Sequence, residues 1–159
     1  MAVDYFLKID GVSGESADQK HKGEIELESF SWGATNDVPP GGGGGGAGKV
    51  SIQDFHFVKK ADKASPKLFL ACASGQHLKS AVLTARRAGK SQQEFLVYKF
   101  TSVLVTSFQT GGSEGSDMPH DSVSFDFAKI EVEYRPQKAD GSLDAPIKAG
   151  WDVKLNKKL

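Results

Sequence analysis

Hydrophobic positions recur at every second residue along most of this chain. Val3, Tyr5, Leu7 and Ile9 alternate with Asp4, Phe6, Lys8 and Asp10, the pattern of a half-buried strand. Similar runs occupy 25–32, 50–57, 81–85, 95–108, 123–134 and 151–155. In three of them the inward set changes parity. Ile25 and Leu27 give way to Phe30 and Trp32, and Val50 and Ile52 to Phe55 and Phe57. Val123, Phe125 and Phe127 give way to Ile130, Val132 and Tyr134. Side chains on a strand repeat with period two, so both sets reach one core only where the chain bends or inserts a residue. In the run 25–32 that point is Glu28 and Ser29. The run 95–108 is longer than an ordinary strand and is expected to bend as well. Strands that bend in this way turn the corners of small, orthogonally packed barrels.

One stretch breaks the alternation. Ser65 to Gly75 predicts a helix at about residues 66–74, with Ser65 capping free amides, Pro66 in the first turn and Gly75 as a left-handed stop. Lone helices this short are marginal, so packing must hold it, and Phe69 is expected to be buried beneath it. Asp140 and Gly141 signal a hairpin turn. Trp151, Val153 and Leu155 predict a last strand before a Lys157-Lys158 tail. The expected architecture is mostly β: an antiparallel bent-strand β-barrel of two packed sheets with one flanking α-helix, in a single domain over 1–159.

A second departure is the segment 38–49. Val38, Pro39 and Pro40 precede Gly41, Gly42, Gly43, Gly44, Gly45 and Gly46, then Ala47, Gly48 and Lys49. Six glycines are entropically expensive to order, so the segment reads as a loop projecting between two strands. It is either a flexible connector or an arm that orders against a neighbour.

Charge and chemistry narrow the function mostly by exclusion. Twenty basic and twenty acidic residues cancel, which gives no global attraction to nucleic acid or acidic membranes. The distribution is uneven. Asp4, Asp10, Glu15, Asp18, Glu24, Glu26 and Glu28 make the start acidic. Lys59, Lys60, Lys63, Lys67, Lys79, Arg86, Arg87 and Lys90 make the middle basic. Solvated faces explain this, and so do complementary surfaces on copies of the same protein. The single cysteine, Cys72, forms no internal disulfide. No secretory signal and no apolar run of membrane-spanning length is visible, so the expectation is synthesis in the cytoplasm and no membrane insertion. Gly43 to Lys49 matches part of a phosphate loop, but Val50 stands where Ser or Thr is required and no helix follows. Ser113 fits a nucleophile elbow in spacing but lacks the strand–turn–helix context. His21, His56, His77 and His120 have no metal-ligand spacing, and Glu24, Glu26 and Glu28 read as the wet side of a strand. No cofactor, metal or catalytic constellation is expected.

Four motifs together carry a resemblance. They are Gly23-Glu24-Ile25-Glu26-Leu27-Glu28-Ser29-Phe30-Ser31-Trp32-Gly33, the helix with its exit from Ser65 to His77, Gln109-Thr110-Gly111-Gly112-Ser113, and Ala149-Gly150-Trp151-Asp152. In this order, from Asp4 to about Leu155, the chain resembles the haemolysin-coregulated protein (Hcp) family, the tube protein of the bacterial type VI secretion system. The six-glycine tract departs from the family pattern. The resemblance implies a non-enzymatic structural subunit that forms homohexameric rings and stacks them into a secreted inner tube. Its implied partners are further copies of itself, a VgrG-family spike, contractile sheath proteins and small effector proteins carried or chaperoned in the lumen. It also implies export without a signal peptide, by the type VI machine, to the extracellular space or a target cell. Ser31 matches a lumen-facing position, with Ser29 beside it on the strand. Val38, Pro39, Pro40, Gly41 to Gly46 and Lys49 correspond to a loop between stacked rings. The alternative is a monomeric β-barrel ligand-binding module without tube assembly.

Overall fold

Three neighbouring strands change their inward parity along one common line. The computed structural model describes residues 2–37, 48–89 and 91–159. Its elements run β1 (Val3–Ile9), β2 (Ile25–Leu27), β3 (Ser29–Ser31), β4 (Ala34–Asn36), β5 (Val50–Ile52) and β6 (Phe55–Lys60). They continue with α1 (Ser65–Ser74), β7 (His77–Arg87), β8 (Glu94–Gly111), β9 (His120–Tyr134), β10 (Ile147–Asp152) and β11 (Lys157–Lys158). Leu78, Val103 and Phe127 lie side by side across β7, β8 and β9, and all are buried. So do Ala81, Phe100 and Ile130, three residues along each strand. An odd spacing between two inward rows requires a crease, and Ser102 in that line has φ +55°. The register is unchanged across it, so the three strands fold together as one sheet passing into another.

All pairings are antiparallel. One half carries β2, β1 and β7, with the early part of β8 and the late part of β9, then β10 and β11. The other half carries β3, β6, the early part of β9 and the late part of β8. Glu28 joins the two halves at their far side. Before it, β2 pairs with β1; after it, β3 pairs with β6, and the Glu28 amide donates to the Val58 carbonyl at 2.8 Å. The ladder is interrupted at that residue, so the barrel is open rather than closed. Between the halves, Phe55, Phe100 and Phe125 meet at 4.9–5.1 Å between ring centroids. The bends expected near Glu28, between 52 and 55 and between 127 and 130 are all present.

The helix is pinned by a buried ion cluster. Lys59, fully buried, donates through Nζ to Asp121 at 2.9 Å, Asp62 at 2.7 Å and the Ser65 hydroxyl at 2.9 Å. Ser65 also donates to Asp121 and accepts from the Asp62 amide. This corrects the expected cap: Ala64 holds the cap position without a side-chain hydrogen bond, because the Ser65 hydroxyl is engaged by charged groups. Gly75 closes the helix at φ +67°, as expected.

Two further expectations are corrected. Phe69 is 57% exposed and Leu70 59%, while Leu68 and Ala71 are buried. Successive helical residues point about 100° apart, so a short run of apolar residues cannot all face one sheet. Phe69 instead lies edge-on to Phe108 at 6.0 Å. The expected last strand through Val153 and Leu155 ends at Asp152, whose buried carboxylate accepts the Leu155 amide at 2.8 Å. The chain turns there, with Asn156 at φ +52°, and the Lys157-Lys158 segment returns as β11.

These contacts fix two outcomes. Leu68→Ala should cost about 2–5 kcal/mol and Phe69→Ala about 1 kcal/mol or less, measured by denaturant unfolding. Equal losses would contradict the helix orientation. Burial alone would raise the Asp121 pKa, but hydrogen bonds from Ser65, Lys59 and Thr110 and the Lys59 charge outweigh it and hold the carboxyl below 3.8. The unfolded chain therefore takes up this proton first, so the contribution is intact above about pH 4 and is lost as pH falls further. Asp121→Asn should destabilise the protein by about 3 kcal/mol near neutral pH, because it leaves Lys59 buried without its most deeply buried partner. It should also flatten the acid limb of a melting-temperature profile.

Candidate functional site

Two rows on the outer face of the second half carry mostly small, uncharged polar groups, and the row beyond them holds Lys60 opposite His120, which pairs with Glu28. β3 turns Phe30 inward, which leaves Ser29 and Ser31 exposed on the other side. Across the ladder, Ser31 stands opposite His56, His56 opposite Ser124, and Ser124 opposite Ser107. The adjacent row is Ser29, Val58, Ser122 and Gln109. Inward neighbours on β6 and β9 are Phe57, Val123 and Phe125, so these two strands alternate regularly, while β8 reaches the same face through a register shift between Val105 and Ser107. His56 Nδ1 and the Ser124 hydroxyl are 2.9 Å apart, which ties the two strands on this face. The eight residues include no carboxylate, lysine or arginine. Sequence reasoning placed Ser29 and Ser31 here and missed Ser107, Ser122, Ser124 and His56. Their signal was the same alternation, but only the register brings them together.

Of the expected loop residues, Lys49 alone lies among the described ones. β4 and β5 form a separate two-stranded sheet beyond Gly33, with Lys49 exposed immediately before β5. Val38, Pro39, Pro40 and Gly41 to Gly46 lie outside the described residues. Beneath this hairpin, Trp32, Ile52, Val132 and Trp151 line an apolar groove of about 300 Å³.

The charged residues are used internally more than their segregation along the chain suggested. Arg86, almost fully buried, donates to Asp18 at 3.0 and 2.6 Å and reaches Asp4 at 3.5 Å. The Arg86 guanidinium holds Asp18 well below the usual carboxylate range, against the opposing effect of desolvation, and Asp18 in turn raises Arg86. His21 stacks on Phe6 at 4.4 Å and has Glu24 and Glu94 at 2.9 and 2.6 Å from its two ring nitrogens. Lys59 is consumed in the cluster with Asp121. Members of both charge runs therefore pair within one subunit, and the contrast between acidic start and basic middle overstates what reaches the surface.

No reactive arrangement is assembled among the described residues. Ser113 sits in an exposed turn, with its carbonyl accepting the Ser116 amide, and His120 is engaged by Glu28 at 3.0 Å. Among the described residues no group of three or more histidine, cysteine or carboxylate side chains could hold a metal ion. Among the described residues no helix is long and apolar enough to cross a membrane.

Comparison with known proteins agrees with this geometry. Residues 6–134 match the family described as "Type VI secretion system effector, Hcp". The chain is 48% identical over 159 aligned residues to protein hcp1 of Pseudomonas aeruginosa, covering 98% of each. Its fold is similar to a solved type six secretion system protein, at TM-score 0.93 and 36% identity over 99% of this chain and all of the other. It is similar also to Hcp1 from Salmonella typhimurium, at TM-score 0.80 and 37% identity over the whole of both chains. A matched fold, a family match over most of the chain and a relative 48% identical over nearly all of it converge on one conclusion: the chain belongs to the Hcp family of type VI secretion, a family of secreted structural tube proteins and not of enzymes.

Proposed function

We propose that this chain is the ring-forming subunit of a type VI secretion tube, with the serine face of β3, β6, β9 and β8 lining the channel. The observation that carries the reading is that face. It spans four strands, offers hydrogen-bonding groups of small size, and bears no net charge that would hold a protein cargo by sign. A channel that must release what it carries needs a surface without large apolar patches or a strong field. Six copies closing head to tail would surround the lumen with this face, and stacked rings would extend it into a tube. Small effector proteins are the cargo of this reading, a VgrG-family spike its tip and contractile sheath proteins its outer contact. The loop 38–49 then projects from the barrel toward the next ring. Against the rival reading, a monomeric ligand-binding barrel, stands the core between the two halves, which among the described residues is filled by phenylalanine rings.

Light scattering coupled to size exclusion should return six times the chain mass of 17.0 kDa at micromolar concentration. A monomer under those conditions would sink the reading. Ser31→Gln should keep hexamer mass and melting temperature while lowering effector co-purification. Unchanged cargo with an intact ring would take Ser31 out of the channel, and a broken ring would move it to the subunit boundary. Shortening Gly41 to Gly46 to two glycines should preserve the ring and alter tube formation, scored by electron microscopy; loss of rings would assign the loop to the contact within a ring.

A further inference from the structure

We propose that neighbouring subunits of a ring are joined by a knob and a groove: Met118, in the turn between β8 and β9, enters the groove beside the middle of α1 of the next copy. The proposal rests on the ring reading above and adds the contact that would close it. The groove lies between α1 and the turn that follows β1, with a volume of about 410 Å³. Its floor is Val12, Ala71 and Leu78, all buried, and Leu70 stands at its rim, 59% exposed. Lys67 and Lys79 flank it, opposed by the single carboxylate of Asp10. A recess of this kind suits an apolar side chain carried by an acidic segment.

The molecule exposes few large apolar side chains that could fill it. Leu155 and Leu159 belong to a tail bearing Lys154, Lys157 and Lys158, which the flanking lysines would repel. Tyr134 and Ile147 are directly paired on β9 and β10 and form part of a flat sheet. Phe69 is on α1 itself. Met118, 40% exposed, differs in both shape and charge. It stands next to the last residue of the turn 112–119, which contains Glu114 and Asp117 and no basic residue, and in its own subunit it borders a cleft with Leu27, Lys60 and Asp62. The turn is braced before any partner arrives. The Ser116 amide donates to the Ser113 carbonyl at 3.1 Å, the Ser116 hydroxyl to the Met118 carbonyl at 3.1 Å, and the Ala61 amide to the Pro119 carbonyl at 2.9 Å. A knob held in place binds at lower entropic cost than a free one.

The two surfaces also lie at different points along the helix. The first turn of α1 is bonded to Asp121, which pairs with Thr110 at the foot of the hairpin. Leu70 and Ala71, which border the groove, lie five and six residues beyond Ser65, about 8 Å away at 1.5 Å per residue. Two different, separated surfaces make a heterologous contact, the kind that repeats around a ring.

Cysteine cross-linking tests the contact. Leu70→Cys and Met118→Cys are combined in a Cys72→Ser background, and the hexamer is mildly oxidised. Disulfides between subunits should join most chains, in a denaturing-gel ladder that stops at six. No cross-link from an intact hexamer, or a ladder continuing past six, overturns the assignment while leaving the ring reading in place. A monomeric parent protein overturns both. Charge exchange gives a second measure: Lys67→Glu with Lys79→Glu should raise the concentration at which rings dissociate by at least tenfold at low salt. Adding Glu114→Lys and Asp117→Lys should restore it. Assembly indifferent to both pairs would remove this contact.

Discussion

Each strand of this protein has one side to give to the core, and the core lies between two sheets that share their strands. That constraint explains most of the architecture. A strand crossing from one sheet to the other must exchange its inward and outward sets, or half of its apolar residues would face water. The molecule does this twice, in different ways. At the crease, β7, β8 and β9 exchange parity together and keep their register. At Glu28 a single chain changes partner instead, leaving β1 for β6. The serine face follows directly, because it is what remains on the outside once the phenylalanines have been turned in.

The Lys59 cluster is a second, more local constraint. Buried ion pairs contribute little net stability compared with well-packed apolar groups, yet removing one partner is costly. Such a cluster holds geometry more than it adds energy. Here it fixes the start of α1 to the base of the β8–β9 hairpin, which links Ser65 to Asp121 across 56 positions of sequence. The helix and hairpin tip are thus set relative to each other by charge, while Leu68 and Ala71 supply the apolar contact that keeps the helix down.

Parity changes were legible in the sequence because the period of a strand is rigid and a violation has few remedies. The fold class and the bends at Glu28 and in β9 could therefore be read from Ile25, Leu27, Phe30 and Trp32 and from Phe127 and Ile130. The orientation of α1 could not. Leu68, Phe69 and Leu70 are consecutive, and nothing in their order says which one faces the sheet. The last strand was overextended for a related reason: Trp151, Val153 and Leu155 alternate correctly, but the turn is made by the Asp152 carboxylate. Of the eight residues of the candidate face, Ser29 and Ser31 could be named from their own strand. The other six depended on pairing between strands far apart in sequence, and neither alternation nor composition encodes register at that distance.

The unchanged register at the crease has a consequence for how such a chain can vary. A residue inserted or deleted in β7, β8 or β9 near that line would invert the strand beyond it unless a bulge took up the change, as β8 does between Val105 and Ser107. A change of length across the middle of the sheet therefore needs a local irregularity, whereas one in a connection leaves the register alone. The hairpin of β4 and β5 shares no ladder with the main sheet, so a change of length between those two strands leaves the register of β7, β8 and β9 untouched.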